Sequence, residues 1–255
     1  MTTGALIFAI NNESIDYLAM AKWSAANIQR HLNIPTRIVT AQDCDTQQGH
    51  TRWFNDFGQV LNWHNQSRVD AYQLSPWDQT LLLDADYVVA SDQLGILLES
   101  NQEFLAHRWA YDVTDKNNFT GLNWFGNLKT PQWWATVIMF RKCDRARLIF
   151  EAMAMIKKHW GHYNKLYHVR SPIYRNDFAL SIALEIVNGH TQTTPDIPWP
   201  LASVVPDRKL TQLAMDQYRV DFETDAQKSR YILLKNQDFH AMGKRDLGDI
   251  IGNST

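Results

Sequence analysis

The sequence contains very few cysteines: Cys44 and Cys143 are the only two in 255 residues, and they lie far apart in the chain. So small a number excludes a disulfide framework, and the spacing matches no zinc site. Scarce cysteine of this kind fits a reducing compartment, so we expect a cytoplasmic protein.

Long apolar runs are absent as well. No stretch approaches the roughly 18 apolar residues of a membrane span, and the apolar segment 5–10 is too short for the core of a secretory signal, so no membrane span is expected. The formal net charge is only −2, so no global basic field indicates nucleic acid or membrane as a partner. A composition of 45% hydrophobic and 20% charged residues is ordinary for a globular enzyme. Because no break in composition divides the chain, we expect a single domain over residues 1–255.

Tryptophan, in contrast, is abundant, with 10 residues in the chain. The stretch 109–134 combines turn signals with large aromatic side chains, namely Trp109, Tyr111, Phe119, Trp124, Phe125, Trp133 and Trp134. A stretch of this length without clear periodicity is usually functional. Aromatic faces stack on sugars and on bases, so the segment is either a platform for an acceptor or a lid that packs on its own aromatic side chains. Because Trp133 and Trp134 directly precede an apolar run, at least one of them is expected in the core.

The order of apolar patterns predicts an α/β fold. Runs typical of strands occur at 5–10, 36–40, 81–83, 104–107, 135–140 and 231–235, whereas helical spacing covers 15–32, 144–159 and 176–188. Ser14 is the expected N-cap of the first helix, Gly189 is the expected stop of the third, and the proline-rich segment 195–206 is expected to be a loop. Strands that alternate with helices predict a mostly parallel sheet flanked by helices, in a Rossmann-like arrangement.

Asp84 and Asp86 follow the apolar run 81–83 and precede a second apolar run. Residues two apart on a strand point the same way, so both carboxylates converge if the backbone stays extended there. Two anions against a buried strand are costly unless they are neutralised, and a hard divalent cation such as Mn2+ or Mg2+ is the usual partner of carboxylate oxygens.

Two functions fit this pair. A bound metal ion could neutralise the diphosphate of a nucleotide-sugar donor. Alternatively, Asp84 could be the nucleophile of a phosphatase, with Asp86 as its acid or base, because the stretch 84–88 satisfies the short Asp-x-Asp-x-Val pattern of haloacid-dehalogenase-like enzymes. A complete strand–helix–strand unit precedes the pair here, which ranks the phosphatase second. A dinucleotide oxidoreductase is disfavoured because no Gly-x-Gly-x-x-Gly follows the first strand.

Other segments stand in a definite order around the acidic pair. Residues 4–12 form a strand and an Asn11-Asn12 turn, and Arg68 lies upstream of Asp84. Downstream come the strand 135–140, the segment Tyr174-Arg175-Asn176-Asp177-Phe178 and the segment His240-Ala241-Met242-Gly243-Lys244. In this order, over residues 4–244, the chain resembles GT-A-fold glycosyltransferases, most closely the family 8-like group and related bacterial and phage transferases.

The resemblance implies a role for each segment. Asp84, Asp86 and His240 would hold Mn2+ or Mg2+, with His240 as the third ligand. Donor contacts would come from Asn11, Asn12, Arg68, Asp84, Ala85, Gly243 and Lys244. Asp177 and Asn176 would lie beside the transferred sugar, as the catalytic residues. The last segment is one residue shorter than the commonest His-x-x-Gly-x-Lys spacing.

Each of these residue types also has a purely structural interpretation. Arg68 could be a charge on a helix surface, His240 a structural hydrogen-bonding group and Lys244 a solvated lysine. Asn176 and Asp177 open a helix, where caps and acids are favoured in any protein.

The resemblance implies a hexosyl- or pentosyltransferase whose donor is a nucleotide sugar, UDP-linked by expectation, and whose acceptor is by default a saccharide or glycan. A hydroxymethylated DNA base is the alternative acceptor, because compact phage transferases of this class glycosylate DNA. Such an enzyme needs a basic surface beside the site. Four basic residues occur close together at Arg141, Lys142, Arg145 and Arg147, and a solvated helix face is the structural interpretation of that cluster.

Overall fold

The computed structural model describes residues 1–12, 14–44, 53–54, 60–61, 66–115, 119–171, 173–190, 194–223 and 228–252. The strands are β1 Thr3–Phe8, β2 Thr36–Val39, β3 Trp53–Phe54, β4 Val60–Leu61, β5 Gln79–Leu83, β6 Tyr87–Val88, β7 Phe104–His107, β8 Ala110–Asp112, β9 Trp124–Phe125, β10 Thr130–Pro131, β11 Trp134–Arg141, β12 Leu201–Val204, β13 Lys209–Ala214, β14 Gln217–Glu223, β15 Ser229–Lys235 and β16 Phe239–Ala241. The helices are α1 Tyr17–Leu32, α2 Ala71–Leu74, α3 Gly95–Glu99, α4 Asp144–Lys158, α5 Trp160–Leu166, α6 Asn176–Val187 and α7 Lys244–Gly252. Short 3-10 helices cover Gln66–Asp70 and Thr120–Leu122.

The main sheet has the strand order β2-β1-β5-β11-β7. Strand β1 is parallel to β2 and to β5, whereas β11 is antiparallel to β5 and to β7. The predicted α/β class, with a parallel-rich sheet and flanking helices, is confirmed. Because β1 and β5 run the same way in the middle of the sheet, their carboxyl ends meet at one edge, where ligands bind in open α/β sheets.

The two faces of this sheet are covered by different helices. Side chains alternate along β1, so Ala5 and Ile7 belong to one buried cluster, which includes residues of α1, and Leu6 and Phe8 belong to another. That second cluster contains apolar residues of both α4 and α6. A strand that is buried on both faces has a continuous apolar sequence. Such runs allowed β1 and β5 to be predicted from the sequence.

A smaller sheet, in the order β6-β16-β12-β8, extends the fold beside the carboxyl end of β5. Strand β12 is parallel to both β16 and β8, and β16 is antiparallel to β6. This pairing places His240 opposite Tyr87, directly after the acidic pair. The sheet therefore joins residues that lie about 150 positions apart in the chain.

Several local predictions need correction. Asp16, not Ser14, caps α1, because its side chain accepts a hydrogen bond from the Ala19 amide. The segment 195–206, predicted to be a loop, contains strand β12. The strand predicted at 231–235 is confirmed as part of β15, but it belongs to a separate antiparallel sheet of β13, β14 and β15. Gly189 follows α6 with a φ of 63°, as expected of a helix stop. In the part of the chain that the structure describes, no helix is both long and apolar enough to cross a bilayer.

Candidate metal and donor site

A cavity of about 500 Å3 opens at the carboxyl ends of β1 and β5. Most of the predicted site residues line it: Asn12, Asp84, Ala85, Asp86, Asn176, Asp177, His240 and Lys244. These residues come from the ends of β1 and β5, the start of α6 and the segment around β16, so the fold brings together four distant parts of the chain. The site lies where an open α/β sheet binds ligands.

The acidic pair lies in a turn. Convergence along a strand required an extended backbone at Asp84 and Asp86, and this condition is not met: β5 ends at Leu83, and the Tyr87 amide donates to the Asp84 carbonyl at 3.1 Å. The Asp84 amide donates to the Thr136 carbonyl of β11 at 2.9 Å, which fixes the start of the turn. The carboxylates therefore converge through a tight turn between β5 and β6, not through the alternation of a strand.

His240 completes a cluster of three metal-ligating side chains. One ligand atom from each of Asp84, Asp86 and His240 lies within 4.8 Å of the others. His240 Nε2 is 3.5 Å from Asp86 Oδ2, and the Ala241 amide donates to the Asp86 carbonyl at 2.9 Å. The pairing of β16 with β6 thus fixes the imidazole against the acidic turn, although the two lie far apart in sequence.

Two cations neutralise the carboxylates of the turn. The almost fully buried Arg68 donates to Asp84 Oδ1 and to the Ala135 carbonyl. Lys244 Nζ lies 2.8 Å from Asp86 Oδ2. An isolated buried carboxylate is costly, so these pairs let both acids remain beside a buried strand.

The titration of this cluster follows from burial and from the paired charges. Burial raises the pKa of Asp84 above its usual value, and the Arg68 guanidinium opposes that rise. Burial acts in the same direction on Asp86, but His240 and Lys244 outweigh it and hold the pKa of Asp86 well below its usual range. Burial alone would lower the pKa values of His240 and Lys244, yet the Asp86 carboxylate raises both. Asp86 is therefore the stable anion of the site.

The three side chains Asp84, Asp86 and His240 are suitable ligands for a hard divalent cation. Two carboxylates and one imidazole are ligands that Mn2+ accepts readily, and Mg2+ shares the preference for carboxylate oxygen. The Nε2 atom of His240 faces Asp86, whereas its Nδ1 atom is buried without a hydrogen-bond partner. An imidazole held in this orientation presents one nitrogen to the cluster, as a metal ligand must.

Three of the predicted donor-binding residues do not line the cavity. Arg68 lies behind Asp84 and supports it, so a direct contact with a donor stays a prediction. Asn11 bonds to Asp16 and to the Leu18 amide, which fixes the entry into α1. Gly243 lies between two lining residues and packs near Pro206.

Asn176 and Asp177 lie at the start of α6, as predicted, and both line the cavity. Asp177 Oδ1 accepts a hydrogen bond from the Ala135 amide at 2.8 Å, and Oδ2 lies 3.1 Å from Arg175 Nη2. Asn176 Oδ1 accepts from the Tyr174 hydroxyl at 3.2 Å. Asp177 therefore ties α6 to β11 and at the same time presents a carboxylate to the cavity.

Sequence reasoning missed several lining residues, among them Tyr17, Trp134 and Arg175. Tyr17 is half-buried at the start of α1, where the charges of Lys244, Asp86 and Asp84 influence the pKa of its hydroxyl. Its position in the helical pattern identified it only as part of a first turn. For Arg175, its place beside Asn176 and Asp177 was the available signal.

The aromatic stretch divides into a buried part and an exposed part. Phe119, Trp133 and Trp134 are buried, and Phe119 stacks on Trp134 at 5.5 Å between ring centroids. The expectation that Trp133 or Trp134 belongs to the core is confirmed. Trp109 and Trp124 are about half exposed, and the Arg108 guanidinium lies 4.5 Å from the ring centroid of each. Residues 116–118 of this stretch, and Trp63 further upstream, lie outside the described residues.

The basic cluster around the start of α4 is engaged within the protein. Arg141 donates to the Ser100 carbonyl, Lys142 lies over the ring of Tyr72, Arg145 donates to Asn188, and Arg147 pairs with Asp144 and Glu151. Arg147 lies on a solvated helix face, as the structural interpretation of the sequence proposed. The other three side chains contact other parts of the protein.

Among the solved structures to which this chain is similar are three glycosyltransferases. The galactosyltransferase LgtC, in complex with donor and acceptor sugar analogues, is 15% identical, with a TM-score of 0.42 over 71% of this chain and 70% of that chain. The glycosyltransferase GlyE of Streptococcus pneumoniae is 16% identical, with a TM-score of 0.42 over 78% of this chain but only 46% of GlyE. A mutant Drosophila galactosyltransferase in complex with manganese, UDP-Gal and xylobiose is 10% identical, with a TM-score of 0.37 over 92% of this chain and 94% of that chain.

All three are glycosyltransferases, the class of protein that the sequence motifs resemble. No protein-family model matches the chain, and no curated protein matches it in sequence.

Proposed function

We propose that this protein transfers a sugar from a nucleotide-diphosphate sugar, UDP-linked, to an acceptor hydroxyl of a saccharide or glycan, with a divalent cation held by Asp84, Asp86 and His240. The observation that carries the proposal is the convergence of these three side chains, within 4.8 Å, on the wall of a large cavity at the carboxyl ends of β1 and β5. Mn2+ or Mg2+ at this site supplies Lewis-acid stabilisation of the diphosphate leaving group.

The protein's own groups have separate tasks in this proposal. Lys244 lies at the cavity wall and offers a point charge to a phosphate oxygen. Arg68 keeps Asp84 oriented from behind, through its ion pair. Asn12 and Tyr17 line the end of the cavity formed by the β1–α1 turn, where the base and ribose of the donor would lie.

At the other end, Asp177 and Asn176 line the cavity from the start of α6 and would contact the transferred sugar. Asp177 would bind sugar hydroxyls or accept a proton. Both of its oxygens already accept hydrogen bonds, so its carboxylate is held in one orientation.

For the acceptor, the surface around Arg108 is the proposed platform. Its guanidinium lies 4.5 Å from the ring centroid of each of two half-exposed indoles, Trp109 and Trp124, whose exposed surfaces can stack on the C–H face of a sugar. The alternative acceptor, a DNA base, gains no support from the basic residues 141–147, because their side chains are engaged within the fold. The phosphatase alternative gains none either, because Asp84 is paired with a buried arginine.

The test is a thermal-shift screen of UDP-, GDP-, CMP- and TDP-linked sugars, each with and without Mn2+. We expect a stabilisation that needs both the nucleotide sugar and the metal, and hydrolysis of the same donor under the same conditions. Asp86→Asn should abolish both, whereas Asp144→Asn, which changes an exposed acid on α4, should change neither. If no nucleotide sugar raises the melting temperature with Mn2+ present, the proposal fails. If incubation with a phosphate ester leaves Asp84 phosphorylated, the phosphatase function replaces the proposed glycosyltransferase function.

A further inference from the structure

Behind His240, three polar residues lie in register across three adjacent strands. Ser203 of β12 pairs with His240 of β16 on one side and with Asp112 of β8 on the other. Residues paired in register lie side by side, and their side chains extend from the same face of the sheet. All three are buried, Ser203 and Asp112 completely. The row therefore runs from the candidate metal site across the smaller sheet to its edge strand β8.

Two atoms of this row are buried without a hydrogen-bond partner: His240 Nδ1 and Ser203 Oγ. A buried polar atom left unsatisfied destabilises the folded protein, so two on neighbouring residues require an explanation. Paired strands lie roughly 4.8 Å apart, so rotation of the Ser203 hydroxyl about its Cα–Cβ bond brings Oγ within reach of the imidazole.

The chemistry of a metal-binding histidine supplies that explanation. When Nε2 binds a cation, the ring proton must lie on Nδ1, and that N–H needs an acceptor that fixes the ring. Within the part of the chain that the structure describes, we propose that Ser203 is this positioning residue: its Oγ accepts the Nδ1–H of His240 and holds Nε2 toward Asp84 and Asp86. The inference rests on the metal site of the proposed function and adds a residue that touches neither metal nor donor.

Asp112 provides the fixed end of the row. Its Oδ1 accepts hydrogen bonds from the Thr114 amide and hydroxyl, each at 3.0 Å, and Arg208 Nη2 lies 3.8 Å from Oδ2. Once His240 donates its Nδ1–H to Ser203 Oγ, the Asp112 carboxylate on the other side of Ser203 would be the acceptor for the Ser203 O–H. The lone pairs of the serine oxygen then face His240. Along the row, His240 donates to Ser203 and Ser203 donates to Asp112.

The test measures Mn2+ affinity in the protein without nucleotide, by electron paramagnetic resonance of free Mn2+. Ser203→Ala and Ser203→Cys are the two variants, because cysteine keeps the shape of serine with a somewhat larger atom and is a poor acceptor. We expect both to weaken Mn2+ binding about 10- to 100-fold, as loss of such a supporting group typically does. Ser24→Ala is the matched control, since Ser24 is also fully buried but bonds to the Tyr87 carbonyl.

The melting temperature of the metal-free variants separates positioning from packing. Because the Ser203 hydroxyl is buried without a partner in the metal-free protein, its removal should not lower that temperature. Wild-type Mn2+ affinity in Ser203→Cys, or a large loss of metal-free stability in both variants, would overturn the inference and leave the metal site intact. If the unchanged protein does not bind Mn2+, the metal site itself is refuted, and the role of Ser203 with it.

Discussion

Lys244 and a metal ion would compete for the same carboxylate. The ammonium lies 2.8 Å from Asp86 Oδ2, so Lys244→Met removes a cation that a metal ion must displace or share. We expect this variant to bind Mn2+ more tightly than the unchanged protein when no nucleotide is present. Binding of UDP to the Mn2+-loaded variant should weaken about 10- to 100-fold, because a charged hydrogen bond to phosphate contributes about 1.5–3 kcal/mol.

Isothermal titration with Mn2+, and then with UDP at saturating Mn2+, measures the two effects separately. Lys22→Met, which changes an exposed lysine of α1, is the control and should alter neither affinity. The prediction is contradicted if both affinities change in the same direction.

His107 makes the folded state sensitive to acid. It is buried in β7, and its Nδ1 lies 3.0 Å from the Trp199 carbonyl. Burial lowers the pKa of His107 to about 4, although the hydrogen bond to Trp199 opposes the shift. In the unfolded chain the pKa is about 6.5, so the unfolded state binds more protons between these values, and stability falls as the pH drops below 6.5. At pH 5 the loss amounts to about 2 kcal/mol.

Urea unfolding at pH 7.5 and at pH 5 tests this dependence. His107→Gln removes the titrating group, so its free energy of unfolding should fall by about 2 kcal/mol less than that of the unchanged protein over the same interval. His162→Gln, at an exposed position on α5, should reproduce the unchanged pH dependence. Equal losses in His107→Gln and in the unchanged protein would show that His107 does not control the effect.

The sequence indicated which residue types meet in the cavity more reliably than it indicated how they meet. Asp84, Asp86, His240 and Lys244 cluster in the structure, because their order in the chain matches a recurrent arrangement of strands. The sequence did not predict the turn at Asp84, since the Asp-x-Asp pattern is compatible with both a turn and a strand. Nor was the position of Arg68, because a spacing pattern does not show whether a charged side chain points to solvent or supports a neighbouring acid.

The start of α6 is joined to β11 by Asp177, whose Oδ1 accepts the Ala135 amide at 2.8 Å. Asp177→Asn keeps this acceptor but removes the negative charge from the cavity. We therefore expect a melting temperature close to that of the unchanged protein, together with donor hydrolysis reduced about 100-fold or more, as for loss of a proton-transfer group. Asp177→Ala should in addition lower the free energy of unfolding by about 1–2 kcal/mol, because the Ala135 amide loses its partner.

Calorimetry together with an assay of nucleotide release from the sugar donor distinguishes the two variants. Asp144→Asn supplies the control, since Asp144 also opens a helix but is exposed on α4. Full activity of Asp177→Asn would assign Asp177 a purely structural role.

Strands and helices with strong periodicity were predicted well, and those that depend on distant partners were not. The strand β7 was predicted with its bounds, and β1, β5, α4 and α6 within a few residues, because each buries a regular apolar pattern. Strand β12 lies among prolines and is defined by its pairing with β16 and β8. In the sheet of β13, β14 and β15, the strand at 231–235 was predicted and corresponds to β15, whereas β13 and β14 mix apolar with polar residues and were not predicted.

The candidate site exists only when distant parts of the chain fold together, because His240 lies 154 positions after Asp86 in the sequence. Binding that requires both must stabilise the folded state as a unit. At a Mn2+ concentration of 100 times Kd, we expect the free energy of unfolding to rise by about 2.7 kcal/mol. Asp84→Asn and His240→Gln should each abolish this increment, although the two residues belong to different sheets.

Urea unfolding of each variant with Mn2+ and with EDTA gives the increment directly. The increment, and not the absolute stability, is the informative quantity, because Asp84→Asn leaves the buried Arg68 guanidinium without its carboxylate and destabilises the metal-free protein as well. His162→Gln controls for loss of an exposed histidine and should retain the full increment. If either site variant retains the Mn2+-dependent increment, one part of the chain holds the metal alone. The pairing of β16 with β6 is then not required for metal binding.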